Sequence, residues 1–266
     1  MPGDCSDRAA RRPDDQVEHV LEGGNVAQRV VRRGQTVRKP AGPHTPAVAA
    51  FLAHLQAAGF TGAPRSLGRD EQGRHVLEYV PGQLAMDAPP MDLAGLSRVG
   101  RLLRELHDKS QDFEPPPDAR WSTAIPPDRC DLICHHDLAP WNLVINADRW
   151  VFIDWDGAGP GSRLWDLAYA VQGFAFSGDR DPAAHAVRLS AIADGYGLDA
   201  RQRADLPPLI GARTRAMFDL LRDSARTGQQ PWARLLAEGH GDYWGPAAEY
   251  AEGNTDRWAR ALASGT

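Results

Sequence analysis

The sequence predicts a two-lobed α+β protein, with a small β-rich N-lobe and a larger, mostly helical C-lobe. Short apolar strand patterns separated by glycine turns occupy the chain up to residue 81. From residue 92 onwards, apolar residues mostly repeat at helical spacing. The length of 266 residues is sufficient for two modest lobes. We therefore expect a disordered tail at 1–15, the N-lobe at 16–81 and the C-lobe at 82–266.

Three short strands are predicted in the N-lobe, at residues 17–21, 26–31 and 36–39. Gly24 and Asn25 belong to the turn before the second strand, and residues 33–35 form the turn after it. Side chains alternate along a strand, so Val37 and Lys39 share one face of the third strand. Lys39 is conspicuous because it and Lys109 are the only lysines among the 30 basic residues.

One helix is expected after the third strand, with Thr45 as its cap and a proline in its first turn. Its apolar stripe consists of Val48, Phe51, Leu52 and Leu55. The only carboxylates between residues 16 and 69 are Glu18 and Glu22. The predicted helix therefore carries no acidic side chain.

A further strand at 74–80 contains Glu78 and Val80 and ends at a Pro-Gly turn. Asp92 can cap the next helix, whose apolar residues at helical spacing we interpret as core. From residue 183 the pattern is helical, and breaks are expected at 195–197, 207–208, 228 and 241.

The stretch from residue 133 to residue 156 carries the strongest functional signal. Its first part is a polar loop with Asp137 and Asn142, and a predicted hairpin follows, with strands at 143–145 and 150–153. The hairpin returns the chain so that Asp154 lies beside the loop. Two carboxylates and an amide that converge in this way repel each other unless a cation lies between them. Hard oxygen ligands of this kind suit Mg²⁺.

The motifs H-H-D-L-A-P-W-N at 135–142, F-I-D-W-D at 152–156 and W-D-L-A at 165–168 resemble the aminoglycoside phosphotransferase and choline kinase-type family. Members of that family are small-molecule kinases built on the protein-kinase fold, and the resemblance covers about residues 21–174. It implies transfer of the γ-phosphate of ATP or GTP to a hydroxyl of a small molecule. Asp137 would accept the hydroxyl proton, and Asn142 and Asp154 would hold Mg²⁺.

The same resemblance implies a nucleotide site. Gly24 and Asn25 would belong to a loop that covers the phosphates, Val37 would touch adenine, and Lys39 would reach the phosphates. Backbone groups from Glu78 to Val80 would hydrogen-bond adenine. Asp166 would steady the catalytic loop, and His136 occupies a position where the family usually has glycine.

The helix without a carboxylate departs from the kinase pattern, in which a helix glutamate holds the lysine. We therefore expect Lys39 to be poorly held, or turned toward Asp154, in the protein without nucleotide. Asp156 is a candidate for a second metal contact or for acceptor binding. His135 is expected to brace the loop rather than to transfer protons.

The net charge of −5 argues against a general nucleic-acid binder, and no apolar run reaches the length of a membrane helix. Without an apolar signal core, the chain is predicted to be cytoplasmic. The expected partners are therefore a nucleotide and a small-molecule acceptor, while the sequence does not indicate an oligomeric state.

Several interpretations remain open at this level. The acceptor can be an antibiotic, or a metabolic alcohol such as choline, a sugar or an amino-acid alcohol. The missing helix carboxylate leaves room for a nucleotide-binding pseudokinase. Cys130 and Cys134 with two adjacent histidines also allow a zinc-organised interaction domain, although no second ligand pair follows at a usual spacing.

Overall fold

The computed structural model describes residues 17–21, 30–178 and 180–263. The strands are β1 (Glu18–Val20), β2 (Val31–Arg33), β3 (Thr36–Lys39), β4 (Ser66–Arg69), β5 (His75–Glu78), β6 (Gln83–Leu84), β7 (Leu132–Cys134), β8 (Leu143–Ile145), β9 (Trp150–Phe152) and β10 (Gly159–Gly161). The α-helices are α1 (Thr45–Ala57), α2 (Leu93–Ser110), α3 (Arg163–Phe174), α4 (Pro182–Tyr196), α5 (Ala200–Thr227), α6 (Trp232–Ala237), α7 (His240–Gly253) and α8 (Thr255–Ala263).

The first five strands form one antiparallel sheet in the order β1-β2-β3-β5-β4. The second strand was predicted at 26–31, of which residues 26–29 lie outside the described residues, and β2 extends beyond the predicted end, at Val31–Arg33. Within β2, the Arg32 guanidinium stacks on the Tyr79 ring at 3.7 Å. The predicted turn with Gly24 and Asn25 falls within 22–29, outside the described residues.

Helix α1 packs its predicted apolar stripe into the main core, since Val48, Phe51, Leu52 and Leu55 are all buried. The predicted cap was wrong by one residue. His44 is the N-cap, and Thr45 is the first helical residue. The Thr45 hydroxyl accepts a hydrogen bond from the Gly42 N–H at 2.8 Å, so it stabilises the turn before the helix.

The segment at 79–84 connects β5 to the rest of the chain and is tied to the β8–β9 hairpin. Strand β6 at its end pairs with β8, with Gln83 opposite Ile145. Asn146 Nδ2 in the hairpin turn donates to the Pro81 carbonyl at 2.9 Å. Glu78 at the end of β5 forms an ion pair with Arg149 of the same turn. The connector and the adjoining end of β5 are therefore linked to the hairpin at three points.

The remainder is mostly helical. Helix α2 packs against α4, and α5 packs against α3, α6, α7 and α8. Asp92 caps α2 as predicted, by accepting from the Gly95 N–H at 2.8 Å. The predicted break at 207–208 was wrong, because α5 continues through Pro207 and Pro208. Burial of the inner face of α5 offsets the backbone hydrogen bonds that these prolines remove.

The predicted α+β class is confirmed: a small antiparallel sheet is followed by a larger helical part. Among the described residues, no helix combines the length and the apolar character needed to cross a membrane. The lobe boundary after residue 81 stays a prediction.

Candidate active site

The catalytic-loop candidate lies between two short strands. Strand β7 leads into residues 135–139, a single 3₁₀ turn (Pro140–Asn142) follows, and β8 begins at Leu143. The hairpin returns the chain as the sequence predicted, because the Ile153 N–H donates to the Asn142 carbonyl at 2.8 Å. Asp154 therefore follows a residue that is bonded directly to the loop.

Asp137 and Asn142 are joined by the shortest contact within this loop. Asn142 Nδ2 donates to Asp137 Oδ2 at 2.7 Å and to the Asp137 carbonyl at 2.9 Å. With the amide nitrogen engaged in this way, Asn142 Oδ1 is the atom that can face a cation.

The surroundings of Asp137 favour a basic carboxylate. Burial raises the pKa of Asp137, and the negative charge of Asp154 raises it further. The electrostatic effect of His135 and the hydrogen bonds with Tyr169 and Asn142 lower the pKa of Asp137 without cancelling the rise. A carboxylate with a raised pKa is a better proton acceptor than an ordinary surface aspartate.

His135 braces the loop. The Asp137 N–H donates to His135 Nδ1 at 3.2 Å, and His135 Nε2 lies 3.1 Å from the Ile153 carbonyl. Since Nδ1 accepts, Nε2 must carry the proton and donate to Ile153. The imidazole therefore joins the loop to the end of β9, which agrees with a bracing role.

Asp166 on α3 anchors the start of the loop through hydrogen bonds to its backbone. Its carboxylate accepts the N–H groups of His135 at 3.1 Å and His136 at 2.8 Å, and it contacts His107 Nε2 at 3.2 Å. Burial alone would raise the pKa of Asp166, but the hydrogen bond from His107 and the neighbouring imidazoles hold it well below its usual range. The steadying role that the resemblance implied fits this geometry.

His136 adopts a left-handed backbone conformation with φ of 67°. This conformation explains why glycine suits the position. The hydrogen bonds of the His136 ring offset the cost of this backbone conformation, since Nε2 lies 3.0 Å from the Pro160 carbonyl and 3.2 Å from the Gly159 carbonyl. The His136 carbonyl accepts from Arg213 Nη2 at 2.9 Å.

Arg213 is the main feature of the site that sequence reasoning missed. This residue of α5 is only 3% exposed, and its guanidinium lies 4.2 Å from the centre of the Tyr169 ring. Nothing in the local pattern distinguishes Arg213 from the other arginines of α5, because its partners come from the loop and from α3. Tyr169 had a weak signal, as it lies one helical turn after Asp166.

Lys39 differs from the expectation of a poorly held side chain. It is buried, with 6% exposure, and its Nζ lies 2.5 Å from Asp154 Oδ1 and 2.7 Å from Asp156 Oδ2. Burial alone would lower the pKa of Lys39, but the two carboxylates outweigh it and raise the pKa. The alternative expectation, a lysine turned toward Asp154, agrees with the structure.

The remaining nucleotide-site candidates are positioned as follows. Val37 is partly buried against the main core, opposite Leu77 of β5. The Glu78 N–H donates to the Arg65 carbonyl at 2.9 Å, so this donor is used within the protein. The Val80 side chain packs with Val144 and Val151 beneath the hairpin. Gly24 and Asn25 lie outside the described residues.

The residues present fit Mg²⁺. Asp154 supplies a carboxylate and Asn142 an amide oxygen, and the backbone bond between Ile153 and Asn142 brings the two elements together. Hard oxygen donors in small number, with room for water and phosphate oxygens, are typical of magnesium sites. The burial that raises the pKa of Asp154 is outweighed by Lys39, so Asp154 stays ionised at neutral pH.

The zinc interpretation finds no support in the geometry. Cys130 is exposed whereas Cys134 is buried, and the rings of His135 and His136 are bonded to different carbonyls. In the part of the chain that the structure describes, the one group of three potential ligands is His107, Cys134 and Asp166. The Asp166 carboxylate in this group already accepts the hydrogen bonds given above.

Comparison with known proteins gives a consistent result. The model of the phosphotransferase enzyme family matches residues 118–207, which include the catalytic-loop candidate and both hairpin acids. The trifolitoxin immunity protein of Rhizobium leguminosarum bv. trifolii is 36% identical over 203 residues, covering 70% of this chain and 76% of that protein.

Solved structures share the fold. An amicoumacin kinase in complex with AMP-PNP, Ca²⁺ and its antibiotic superposes with a TM-score of 0.65 at 13% identity, covering 91% of this chain and 89% of that one. A choline/ethanolamine kinase family protein from Mesorhizobium loti superposes with a TM-score of 0.61 at 16% identity, covering 94% of each chain. The solved structures therefore show the two-lobed protein-kinase-like fold, and, given the relative at 36% identity and the family match across the catalytic loop, the chain belongs to the phosphotransferase enzyme family.

Proposed function

We propose that this protein transfers the γ-phosphate of ATP or GTP to a hydroxyl group of a small molecule. The observation that carries the proposal is the arrangement around Asp137. Its carboxylate is held by Asn142, the Asn142 carbonyl is bonded to Ile153, the residue before Asp154, and Asp154 contacts Lys39. A base, two metal-ligand candidates and a phosphate-binding cation are thereby brought together from three separate segments of the chain.

Asp137 is the catalytic residue in this proposal. Its carboxylate accepts the proton of the acceptor hydroxyl and directs the oxygen toward the γ-phosphorus. The new oxygen–phosphorus bond forms as the bond to the β–γ bridging oxygen breaks, and the nucleoside diphosphate leaves with the electron pair. The raised pKa of Asp137 supports this role, because it brings the affinity for a proton closer to that needed at neutral pH.

Asn142 and Asp154 would hold Mg²⁺ through the amide oxygen and the carboxylate. When bound, the cation supplies neutralisation of the phosphate charge. Lys39 contributes a second positive charge at the same end of the site. The side chains therefore act mainly by positioning and by charge neutralisation, as is usual in phosphoryl transfer.

The acceptor that we favour is an antibiotic or a related toxin. The trifolitoxin immunity protein, as its name states, protects against a toxin, and this chain is 36% identical to it. Acids and bases are nearly balanced in the chain after residue 200, which does not favour a polycationic aminoglycoside.

A second candidate is a kinase for choline or another amino alcohol. Tyr169 hydrogen-bonds to Asp137, and its ring belongs to a group of aromatic side chains. Trp141 meets Tyr169 edge to face at 6.3 Å, and Trp244 stacks on it at 6.0 Å. Aromatic faces bind quaternary ammonium groups, and the partly exposed ring of Trp141 is the member of this cluster that supports an amino-alcohol acceptor, because Arg213 and Trp244 already cover the Tyr169 ring.

A screen of nucleotide consumption separates these candidates. The purified protein is incubated with Mg·ATP or Mg·GTP and a panel of peptide, nucleoside and aminocyclitol antibiotics, together with choline, ethanolamine and aminopropanol. The expected result is turnover on one class, with a phosphorylated product in the mass spectrum, and no turnover by the Asp137→Asn variant. Binding of nucleotide without turnover on any acceptor would instead favour the pseudokinase interpretation.

A further inference from the structure

Lys39 is buried, and helix α1, which follows it in the chain, offers it no negative charge. Helix α1 reads T-P-A-V-A-A-F-L-A-H-L-Q-A and contains no carboxylate. A buried ammonium group needs a counter-charge, because its desolvation is otherwise costly. The chain must therefore supply that charge from another element.

Two acids supply it, and they belong to one short segment. Asp154 Oδ1 lies 2.5 Å and Asp156 Oδ2 lies 2.7 Å from Lys39 Nζ. Asp154 has a left-handed backbone with φ of 61°, and a 3₁₀ turn (Trp155–Gly157) follows it. This turn brings two acids separated by a single residue onto the same ammonium group.

Trp155 fixes the segment between the two acids. Its ring is buried, its Nε1 donates to the Phe152 carbonyl at 2.7 Å, and it meets Phe51 of α1 edge to face at 5.8 Å. The packing of Trp155 in the core thus fixes the backbone next to Asp156. The position of Asp156 beside Lys39 therefore does not depend on the ion pair alone.

We propose that Asp156 positions Lys39, which is the role that a glutamate on the helix has in the kinase pattern. The inference rests on the proposed function, in which Asp154 is a ligand of Mg²⁺. A cation on Asp154 withdraws much of that carboxylate's charge from Lys39. Asp156 then remains as the counter-charge that keeps the ammonium group directed at the phosphates.

The other charged or titratable neighbours do not compete for Asp156. His44 at the start of α1 is more distant, with its Nε2 3.9 Å from Asp156 Oδ1. His75 pairs with Lys39 across the sheet, and burial lowers the pKa of His75 to about 4, so its ring is neutral at pH 7. Lys39 is therefore the closest cation to Asp156 among the described residues.

The sequence allowed two other roles for Asp156, a second metal contact or acceptor binding. Both would act directly on a ligand, whereas positioning acts through Lys39. A double-mutant cycle distinguishes direct from indirect action, since an effect that operates through Lys39 disappears when Lys39 is removed. The variants required are Asp156→Asn, Lys39→Met and the combination of both.

The first measurement is the affinity for ATP at saturating Mg²⁺. Asp156→Asn is expected to weaken binding about tenfold when Lys39 is present and to have little effect in the Lys39→Met background. Asp148→Asn, in the exposed turn at the other end of the hairpin, makes the same change of charge and should leave affinity unchanged. An equal loss in both Lys39 backgrounds would show a direct contact and overturn the inference.

The second measurement needs neither nucleotide nor metal. Urea unfolding of the same four proteins should give a coupling of about tenfold in the unfolding equilibrium constant between Lys39 and Asp156. Additive effects would overturn the pairing. A wild-type protein that binds no ATP while this coupling is present would refute the proposed function alone, so failures of the two ideas are distinguishable.

Discussion

The loop that carries Asp137 and the strand that carries Lys39 both lead to Asp154, but they are anchored differently. The loop is held by backbone hydrogen bonds to Asp166 and Arg213, two buried residues of α3 and α5. Lys39 is held by two carboxylates whose side chains are 32% and 38% exposed. Buried hydrogen bonds fix a geometry, whereas partly hydrated charges can exchange partners. In the proposed mechanism, this difference means that the candidate base Asp137 is preorganised, whereas Lys39 can respond to phosphate.

The largest expected effect is on turnover, and it distinguishes the role of the Asp137 loop (the loop side) from that of the strand with Lys39 (the lysine side). Asp137→Asn keeps the size of the side chain but removes the proton acceptor. Turnover should fall by about 10²–10⁴, while affinity for Mg·ATP stays near the wild-type value. Steady-state kinetics and calorimetric titration with ATP test this. Near-normal turnover would exclude Asp137 as the base, and a parallel loss of affinity would place it among the nucleotide ligands.

The rigidity of the loop side should depend on Arg213. Arg213→Ala removes a buried donor to the His136 carbonyl and a cation–π partner of Tyr169, so we expect a loss of about 2–3 kcal/mol in the free energy of unfolding. Arg215 lies on the same helix but is partly exposed and paired with Glu252, so Arg215→Ala should cost less than about 1 kcal/mol. Urea denaturation of both variants makes the comparison, and equal losses would contradict a special role for Arg213.

Asp166 should make stability on the loop side depend on pH. Its pKa in the folded protein is lowered, so its contribution is present above the unfolded value of about 3.9 and is lost as the pH falls below it. Asp166→Asn should lose about 2 kcal/mol at pH 7 and show a shallower decline of stability between about pH 5 and pH 3.

The control for this pH dependence is Asp108→Asn. Asp108 also has a lowered pKa, mainly through hydrogen bonds from Arg104 and Arg163 that outweigh its burial, but its side chain is 45% exposed. Its replacement should change stability by less than about 1 kcal/mol at any pH in this range. An unchanged acid profile in Asp166→Asn would show that the anchoring carboxylate lies elsewhere.

The smallest expected effect concerns the backbone of His136. Both His136→Gly and His136→Ala remove the ring contacts to the Gly159 and Pro160 carbonyls. Only alanine retains the cost of a positive φ, so the glycine variant should be more stable than the alanine variant by about 1 kcal/mol. Thermal unfolding of the pair measures the difference. Equal stabilities would mean that the loop backbone at residue 136 changes its conformation in the alanine variant. The Asp137 loop would then be less rigid than the comparison with Lys39 assumes.

The sequence was most informative where function is encoded in consecutive residues. The hairpin that returns Asp154 to the loop follows from the spacing of its apolar residues and its polar turn, and the structure confirms this return. Lys39 was also placed on the correct strand. The burial of Lys39 was not predictable, because it depends on a left-handed turn at Asp154, a conformation that aspartate tolerates but that the local pattern did not single out.

Long-range contacts account for most of what the sequence did not reveal. Arg213 meets the loop from 77 residues away, and its role depends on how α5 packs against α3. The continuous helix through Pro207 and Pro208 has the same origin, since burial of one face outweighs a local penalty. Tertiary packing therefore overrode the helix-breaking tendency of the two prolines in α5. In the same way, the turn before α1 engages the Thr45 hydroxyl, so Thr45 does not act as the predicted cap.

The three links to the β8–β9 hairpin have a mechanical consequence. β6 pairing and the Asn146 bond to Pro81 join the connector to the hairpin, and the Glu78–Arg149 ion pair joins the end of β5 to it. The second strand of this hairpin leads directly to Asp154. A rocking motion of the sheet about the connector would have to break these links together. These links therefore hold the distance between the end of β5 and Asp154 constant. Amide exchange along β8 and β9, which pair with β6 in a separate sheet, should be slow even when the five-stranded sheet moves.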